Sequence, residues 1–209
     1  MPLQFKHSFN VSTVINFWQS WITQRKPYKY LEIGSFEGLS AALFLDIAKG
    51  YALQSKENKV QLTCVDSWSG GEEHENFDFA SVERTFDANM QECLRWFPSD
   101  RTPEISKVKS LSHPALRKLV GTESTFDLIY VDGSHHAADT LADIVLCWFL
   151  LRVGGTLIID DYLWKEPHGR GAVHEPKLAI DAFTTIFGER LQIIGDSPLR
   201  QMYIVKTSE

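Results

Sequence analysis

Tyr30-Leu31-Glu32-Ile33-Gly34-Ser35-Phe36-Glu37-Gly38-Leu39-Ser40 is the stretch that decides the fold, because a short apolar run feeds directly into a glycine turn that opens a helical pattern. Glycines at 34 and 38 allow a tight turn and close backbone approach, and the N-terminus of the following helix offers free N–H groups to a ligand. A second apolar run, residues 60–65, ends on Asp66. Strand, helix and strand make a βαβ unit, and an acidic residue ending the second strand is placed to accept hydrogen bonds from a ribose diol. Position 36 is Phe36, so the dinucleotide fingerprint G-x-G-x-x-G is absent and a nicotinamide dehydrogenase is disfavoured. A single nucleoside fits better.

The alternation continues outward from this unit. Upstream, residues 11–24 carry apolar side chains at helical spacing after Asn10, a candidate N-cap, and residues 1–29 read as an N-terminal covering helix. Downstream, the acidic stretch Ser69-Gly70-Gly71-Glu72-Glu73-His74-Glu75-Asn76-Phe77-Asp78-Phe79 and a candidate helix at 81–97 suit an exposed insertion, residues 69–104. Strands are predicted at 105–109, 126–131 and 156–159, helices at 114–120, 137–151 and 176–187. Two final runs, 191–194 and 202–205, are predicted to pair as antiparallel strands.

Composition narrows the function. The 209 residues, 44% of them hydrophobic, suit one core, and neither a repeat nor a linker argues for more than a single domain, 1–209. The longest apolar stretch, residues 144–151, falls well short of the roughly 20 residues a membrane span needs. A formal charge of -6 offers no basic footprint for nucleic acid, so the expected partner is a small-molecule substrate. Cys64, Cys93 and Cys147 lie among apolar residues and read as buried thiols, which suits a reducing, cytoplasmic setting.

The sheet's other strand ends carry three aspartates. Phe126-Asp127-Leu128-Ile129-Tyr130-Val131-Asp132 ends one apolar run on Asp132, and Gly154-Gly155-Thr156-Leu157-Ile158-Ile159-Asp160-Asp161 ends the next on Asp160 and Asp161. If the two strands are parallel neighbours, these carboxylates share a crevice, where they repel unless protonated, hydrogen-bonded or bound to a cation. Magnesium, with its preference for carboxylate and water oxygens, is an economical countercharge; capping of the next helices is the alternative. His135 and His136 follow Asp132 closely enough to share the crevice, and His135 is the candidate general base. Trp68 and Trp164 follow strand-end motifs and are expected to wall a pocket, whereas Trp18, Trp96 and Trp148 read as core. The charged segment 72–75 reads as a solvated loop or a substrate lid.

The order of these motifs, Leu31-Glu32-Ile33-Gly34-Ser35-Phe36-Glu37-Gly38, Val65-Asp66-Ser67-Trp68, Phe126 to His136 and Gly154 to Tyr162, resembles the class I S-adenosylmethionine-dependent methyltransferases. Within them it is most similar to the macrocin- and aminocoumarin-type sugar O-methyltransferases, and more distantly to catechol O-methyltransferase. The resemblance implies a doubly wound α/β fold with a mostly parallel seven-stranded sheet and an antiparallel last strand. It implies that Glu32, Gly34, Ser35 and Gly38 surround the methionine part of S-adenosylmethionine, Asp66 its ribose, and Ser67 or Trp68 its adenine. Asp132, Asp160 and Asp161 would match metal carboxylates, with Asp132 counted among the catalytic and cofactor-binding residues as well. The pattern departs at the base: catechol-type enzymes place a lysine where this chain has His135, and macrocin-type enzymes an aspartate where it has Ser134. The expected activity is divalent-metal-dependent O-methylation of a small-molecule hydroxyl. A metal-independent methyltransferase and a non-catalytic adenosine-ligand-binding module are the alternatives.

Overall fold

The computed structural model describes residues 2–6, 12–55, 57–71, 77–122 and 125–209, and among them the chain forms seven strands of a mostly parallel sheet with α-helices between them. Two compact units divide it, residues 1–110 and 111–209.

In the first unit, helix α1 (Ser12–Arg25) buries Trp18 and Ile22, four residues apart on one face. Asn10 and Val11 lie outside the described residues. Strands β1 (Lys29–Ile33), β2 (Gln61–Asp66) and β3 (Glu104–Lys109) are all parallel, with β2 in the middle. Helix α2 (Leu39–Ala52) crosses from β1 to β2 and buries Ala41, Ala42, Phe44, Leu45 and Ala48; Phe44 stacks on Tyr30 of β1 at 4.4 Å. Helix α3 (Phe79–Leu94) crosses from β2 to β3 and buries Val82, Phe86, Asn89, Met90 and Cys93. Where the acidic flank suggests an exposed insertion, the helix is thus a crossover with a buried face, capped by Asp78, which accepts from the Ser81 N–H. Residues 72–76, including His74 and the charged segment read as a lid, lie outside the described residues.

The second unit opens with α4 (Ser112–Val120) and β4 (Phe126–Val131). Helix α5 (Ala137–Leu150) returns the chain to β5 (Leu151–Ile159), which pairs parallel to β4 with Val131 opposite Ile159. Strand β5 starts five residues before the position the sequence suggests, since the apolar run through Leu150 and Leu151 hides where helix gives way to strand. After α6 (Pro176–Ile186), β6 (Leu191–Ile193) and β7 (Met202–Lys206) pair antiparallel as expected, and β7 is antiparallel to β5 too. Trp148 of α5 meets Phe183 of α6 edge-on at 5.4 Å. Trp18 and Trp148 are core residues, while Trp96 is only half-buried. All three cysteines are buried free thiols, and burial pushes Cys93 up to about 12.

Candidate functional site

The glycine turn in the first unit is shaped by backbone, not by side-chain bulk. Gly34 and Gly38 have φ of 85° and 82°, and Phe36 between them is also left-handed at 46°. At Gly38 a Cβ would lie 2.8 Å from Met90 Cε and 3.0 Å from Phe86 Cδ2, so glycine lets α2 and α3 approach. The Gly34 N–H donates to the Val65 carbonyl at 2.9 Å, tying the turn to the end of β2.

Asp66 sits where that tie is made. Its Oδ2 accepts the Phe36 N–H at 2.8 Å and its Oδ1 the Trp68 N–H at 2.6 Å, so both oxygens are oriented by backbone donors and keep lone pairs for a ligand. Trp68 is buried, its indole donating to the Phe36 carbonyl at 2.9 Å and lying 4.9 Å from Phe86, with Lys107 Nζ over its face. Ser67 Oγ accepts from both the N–H and the hydroxyl of Ser69. Glu32, fully buried at the end of β1, accepts from Ser40 and, at 3.3 Å, Ser35, with the Cys64 thiol at 3.8 Å. Burial pushes its carboxyl up to about 8, against the pull of the two serines. Glu32, Gly34, Ser35, Gly38, Asp66, Ser67 and Trp68 thus gather around one turn.

The second unit carries the other cluster. The Asp160 N–H donates to the Val131 carbonyl at 2.9 Å, continuing the β4–β5 ladder and setting Asp132 and Asp160 side by side at the strand ends. Asp161, the next residue, takes a left-handed φ of 57°. Between β4 and α5 the loop is locked by its own hydroxyls: Ser134 Oγ accepts the His136 N–H at 3.1 Å, and Thr140 Oγ1 donates to the Ser134 carbonyl at 2.8 Å. This holds His135 with Nε2 2.9 Å from Asp161 Oδ2 and its ring stacked on Trp164 at 4.2 Å. Trp164 therefore walls the imidazole. His136 turns away, meeting His174 edge-on at 4.8 Å, and His168 is exposed.

Three residues that no sequence motif points to complete this cluster. The Tyr130 hydroxyl reaches Asp132 Oδ2 at 3.0 Å and also Asp160 Oδ2. Gln201 Nε2 donates to Asp160 Oδ2 at 2.9 Å, and Arg200 reaches Asp161 Oδ1 at 3.3 Å. Tyr130 was legible in principle, since side chains two apart on a strand share a face and Asp132 is two residues on. Burial, then repulsion from Asp160 and Asp161, holds the Asp132 carboxyl well above the usual range; burial and Asp161 raise Asp160. A small, shallow crevice, open in part to solvent, is lined by Val131, Asp132, Ser134, His135, Asp160 and Asp161 among others.

The three aspartates offer hard oxygen donors of the type magnesium takes. Their oxygens are nonetheless engaged by the chain's own donors: both of Asp160, both of Asp161 and Oδ2 of Asp132. No group of three His, Cys, Asp or Glu among the described residues is arranged to hold a metal ion. As placed, the three carboxylates are held by the chain's own hydrogen bonds, and the oxygens that accept a single one keep a lone pair for a ligand or cation.

Residues 31–162 match the family described as methyltransferase domain. No curated protein matches the chain in sequence. Among solved structures, the O-methyltransferase from Bacillus cereus in complex with SAH is 16% identical with a TM-score of 0.64, covering 97% of this chain and 84% of its own. TomG from Streptomyces achromogenes, an O-methyltransferase in complex with SAM, is 15% identical with a TM-score of 0.63, covering 96% and 82%. CalS11, a TDP-rhamnose 3'-O-methyltransferase, is 14% identical with a TM-score of 0.60, covering 92% and 78%. Such identities speak for the fold alone, a Rossmann-like, mostly parallel seven-stranded sheet with an antiparallel last strand. With the family match spanning well over half of the sequence, the chain belongs to the methyltransferase-domain family, the class I S-adenosylmethionine-dependent enzymes.

Proposed function

We propose that the chain transfers the methyl group of S-adenosylmethionine to a hydroxyl oxygen of a small molecule. The observation that carries this reading is Asp66: a carboxylate pinned by the Phe36 and Trp68 N–H groups beside the 34–38 turn, in a family of methyltransferases. Bound, the cofactor supplies a methyl group made electrophilic by its sulfonium charge. Asp66 accepts from the ribose hydroxyls, Glu32, Gly34, Ser35 and Gly38 surround the methionine part, and Ser67 and Trp68 flank the adenine. On the acceptor side, Asp132 and Asp160 orient the hydroxyl and His135 removes its proton, while Asp161 holds the imidazole and stabilises its charged form. The solved O-methyltransferases of the same fold, one of them acting on TDP-rhamnose, support oxygen as the target and a small molecule as acceptor. Three buried free thiols suit a reducing compartment, in keeping with a cytoplasmic enzyme, and no helix among the described residues is long and apolar enough to cross a membrane.

A magnesium ion at Asp132, Asp160 and Asp161 is the second reading, favoured by the burial and, after it, the mutual repulsion that raise Asp132 and Asp160. It would polarise the acceptor hydroxyl. Methyl transfer from labelled S-adenosylmethionine into hydroxyl-bearing acceptors, sugars included, tests both readings. Transfer that survives exhaustive chelation supports the metal-free mechanism, and transfer abolished by chelation and restored by magnesium supports the second. No transfer, with cofactor bound, leaves only the binding-module alternative.

A further inference from the structure

The crevice holds two half-buried carboxylates side by side, which repel each other unless something stands between them. Tyr130 stands there. Its side chain, 4% exposed, shares a strand face with Asp132, and its hydroxyl lies within hydrogen-bond reach of Asp132 Oδ2 and Asp160 Oδ2. Asp160 is held from the opposite side as well. Antiparallel pairing of β5 with β7 sets Ile159 opposite Met202, which brings Gln201 opposite Asp160. Gln201 Nε2 donates to Asp160 Oδ2 at 2.9 Å, and Gln201 is oriented in turn by the Tyr203 hydroxyl, which donates to its Oε1 at 2.6 Å. The backbone N–H of Asp161 fixes the other oxygen, Oδ1 of Asp160, at 2.7 Å. Tyr130, Gln201 and Tyr203 are all buried, and the Tyr203–Gln201 bond is shielded from water, while the bonds to Asp132 and Asp160 lie at the half-buried edge of the crevice.

We propose that Tyr130 is the positioning residue of this site: its hydroxyl clamps Asp132 to Asp160, donating its single proton to one carboxylate while its oxygen accepts from the other, protonated, carboxyl, and Gln201 and Tyr203 anchor the Asp160 end of the clamp. The chain's own donors thereby do what a bridging cation would do, keeping two carboxylates together at the acceptor position. This rests on the methyltransferase reading for its catalytic consequence and on geometry alone for the clamp. Displacement of a reacting group by about 1 Å can cost on the order of 10²-fold in rate, so loss of the clamp is expected to act on turnover.

The test is Tyr130→Phe, read in two independent ways. Crystal structures of the wild type and the variant should show the Asp132 and Asp160 carboxylates together in the first and separated in the second. An unchanged separation in the variant overturns the clamp, whatever the activity. With a methyl acceptor in hand, kcat should fall about 10- to 100-fold while cofactor affinity changes less than about twofold. The same substitution in an Asp160→Asn background should cost far less, since the clamp's second arm has already been altered. Equal losses in both backgrounds, or wild-type kcat in Tyr130→Phe, contradict the proposal. If Tyr130→Phe does not fold, Gln201→Leu is read in the same two ways, and there an unmoved Asp160 is the contrary result. Failure of the wild type to transfer methyl groups would reject the proposed function and leave the crystallographic test of the clamp intact.

Discussion

Glu32 is a carboxyl with no exposed surface, and replacing it with glutamine isolates what its burial does. Its carboxyl is raised from 4.5 to about 8, chiefly by burial, so the folded chain holds a proton there that the unfolded chain has released. The sign follows from linkage. A folded state that binds more protons loses stability as the pH rises, so the contribution is fully present below about pH 4.5 and is lost progressively until about pH 8. Each tenfold change in proton affinity is worth about 1.4 kcal/mol, so the wild type should lose about 2–3 kcal/mol between pH 5 and pH 7 on account of this group. Glu32→Gln keeps the shape and the capacity to pair with Ser35 and Ser40 without a titrating proton. Urea unfolding of both proteins at the two pH values, without cofactor, gives the difference of differences, in which groups common to both chains cancel. The wild type should weaken relative to the variant by about 2–3 kcal/mol on going to pH 7. Parallel pH dependences, or a variant that weakens more than the wild type, would refute the claim that Glu32 is held neutral.

Gly38→Ala should destabilise by about 1–3 kcal/mol, because it forces a Cβ into a left-handed turn and against Met90 and Phe86; an unchanged thermal midpoint would show that the contact yields freely. His135→Ala should lower the methyl-transfer rate by about 10²–10⁴-fold with cofactor affinity nearly unchanged, and should remove the acidic limb of the pH–rate profile; His136→Ala, whose ring faces His174, should do much less. Near-wild-type turnover by His135→Ala rejects its role as base.

What could be read from the residues was mostly local. The βαβ unit around the 34–38 turn, Asp66 at its strand end and the antiparallel final pair follow from apolar period and glycine placement, and the structure has them. The burial of α3 was masked by the acidic segment before it, since charge in a flank says little about which face of the next helix is covered. His135 was visible by its distance from Asp132, but its stacking on Trp164 and its bond to Asp161 join residues 26 or more positions apart, which no local period encodes. Gln201 was hidden for the same reason. Its meeting with Asp160 depends on the register of β5 against β7, which is set by folding.

The most direct test of the proposed cofactor site is calorimetric titration of S-adenosylhomocysteine, the product of methyl transfer, into the wild type and into Asp66→Ala. One equivalent should bind per chain, about 10-fold or more weaker in the variant, which loses a carboxylate that both ribose hydroxyls would use and that pins the Phe36 and Trp68 N–H groups. No binding by the folded wild type, or equal affinity in the two proteins, would contradict it.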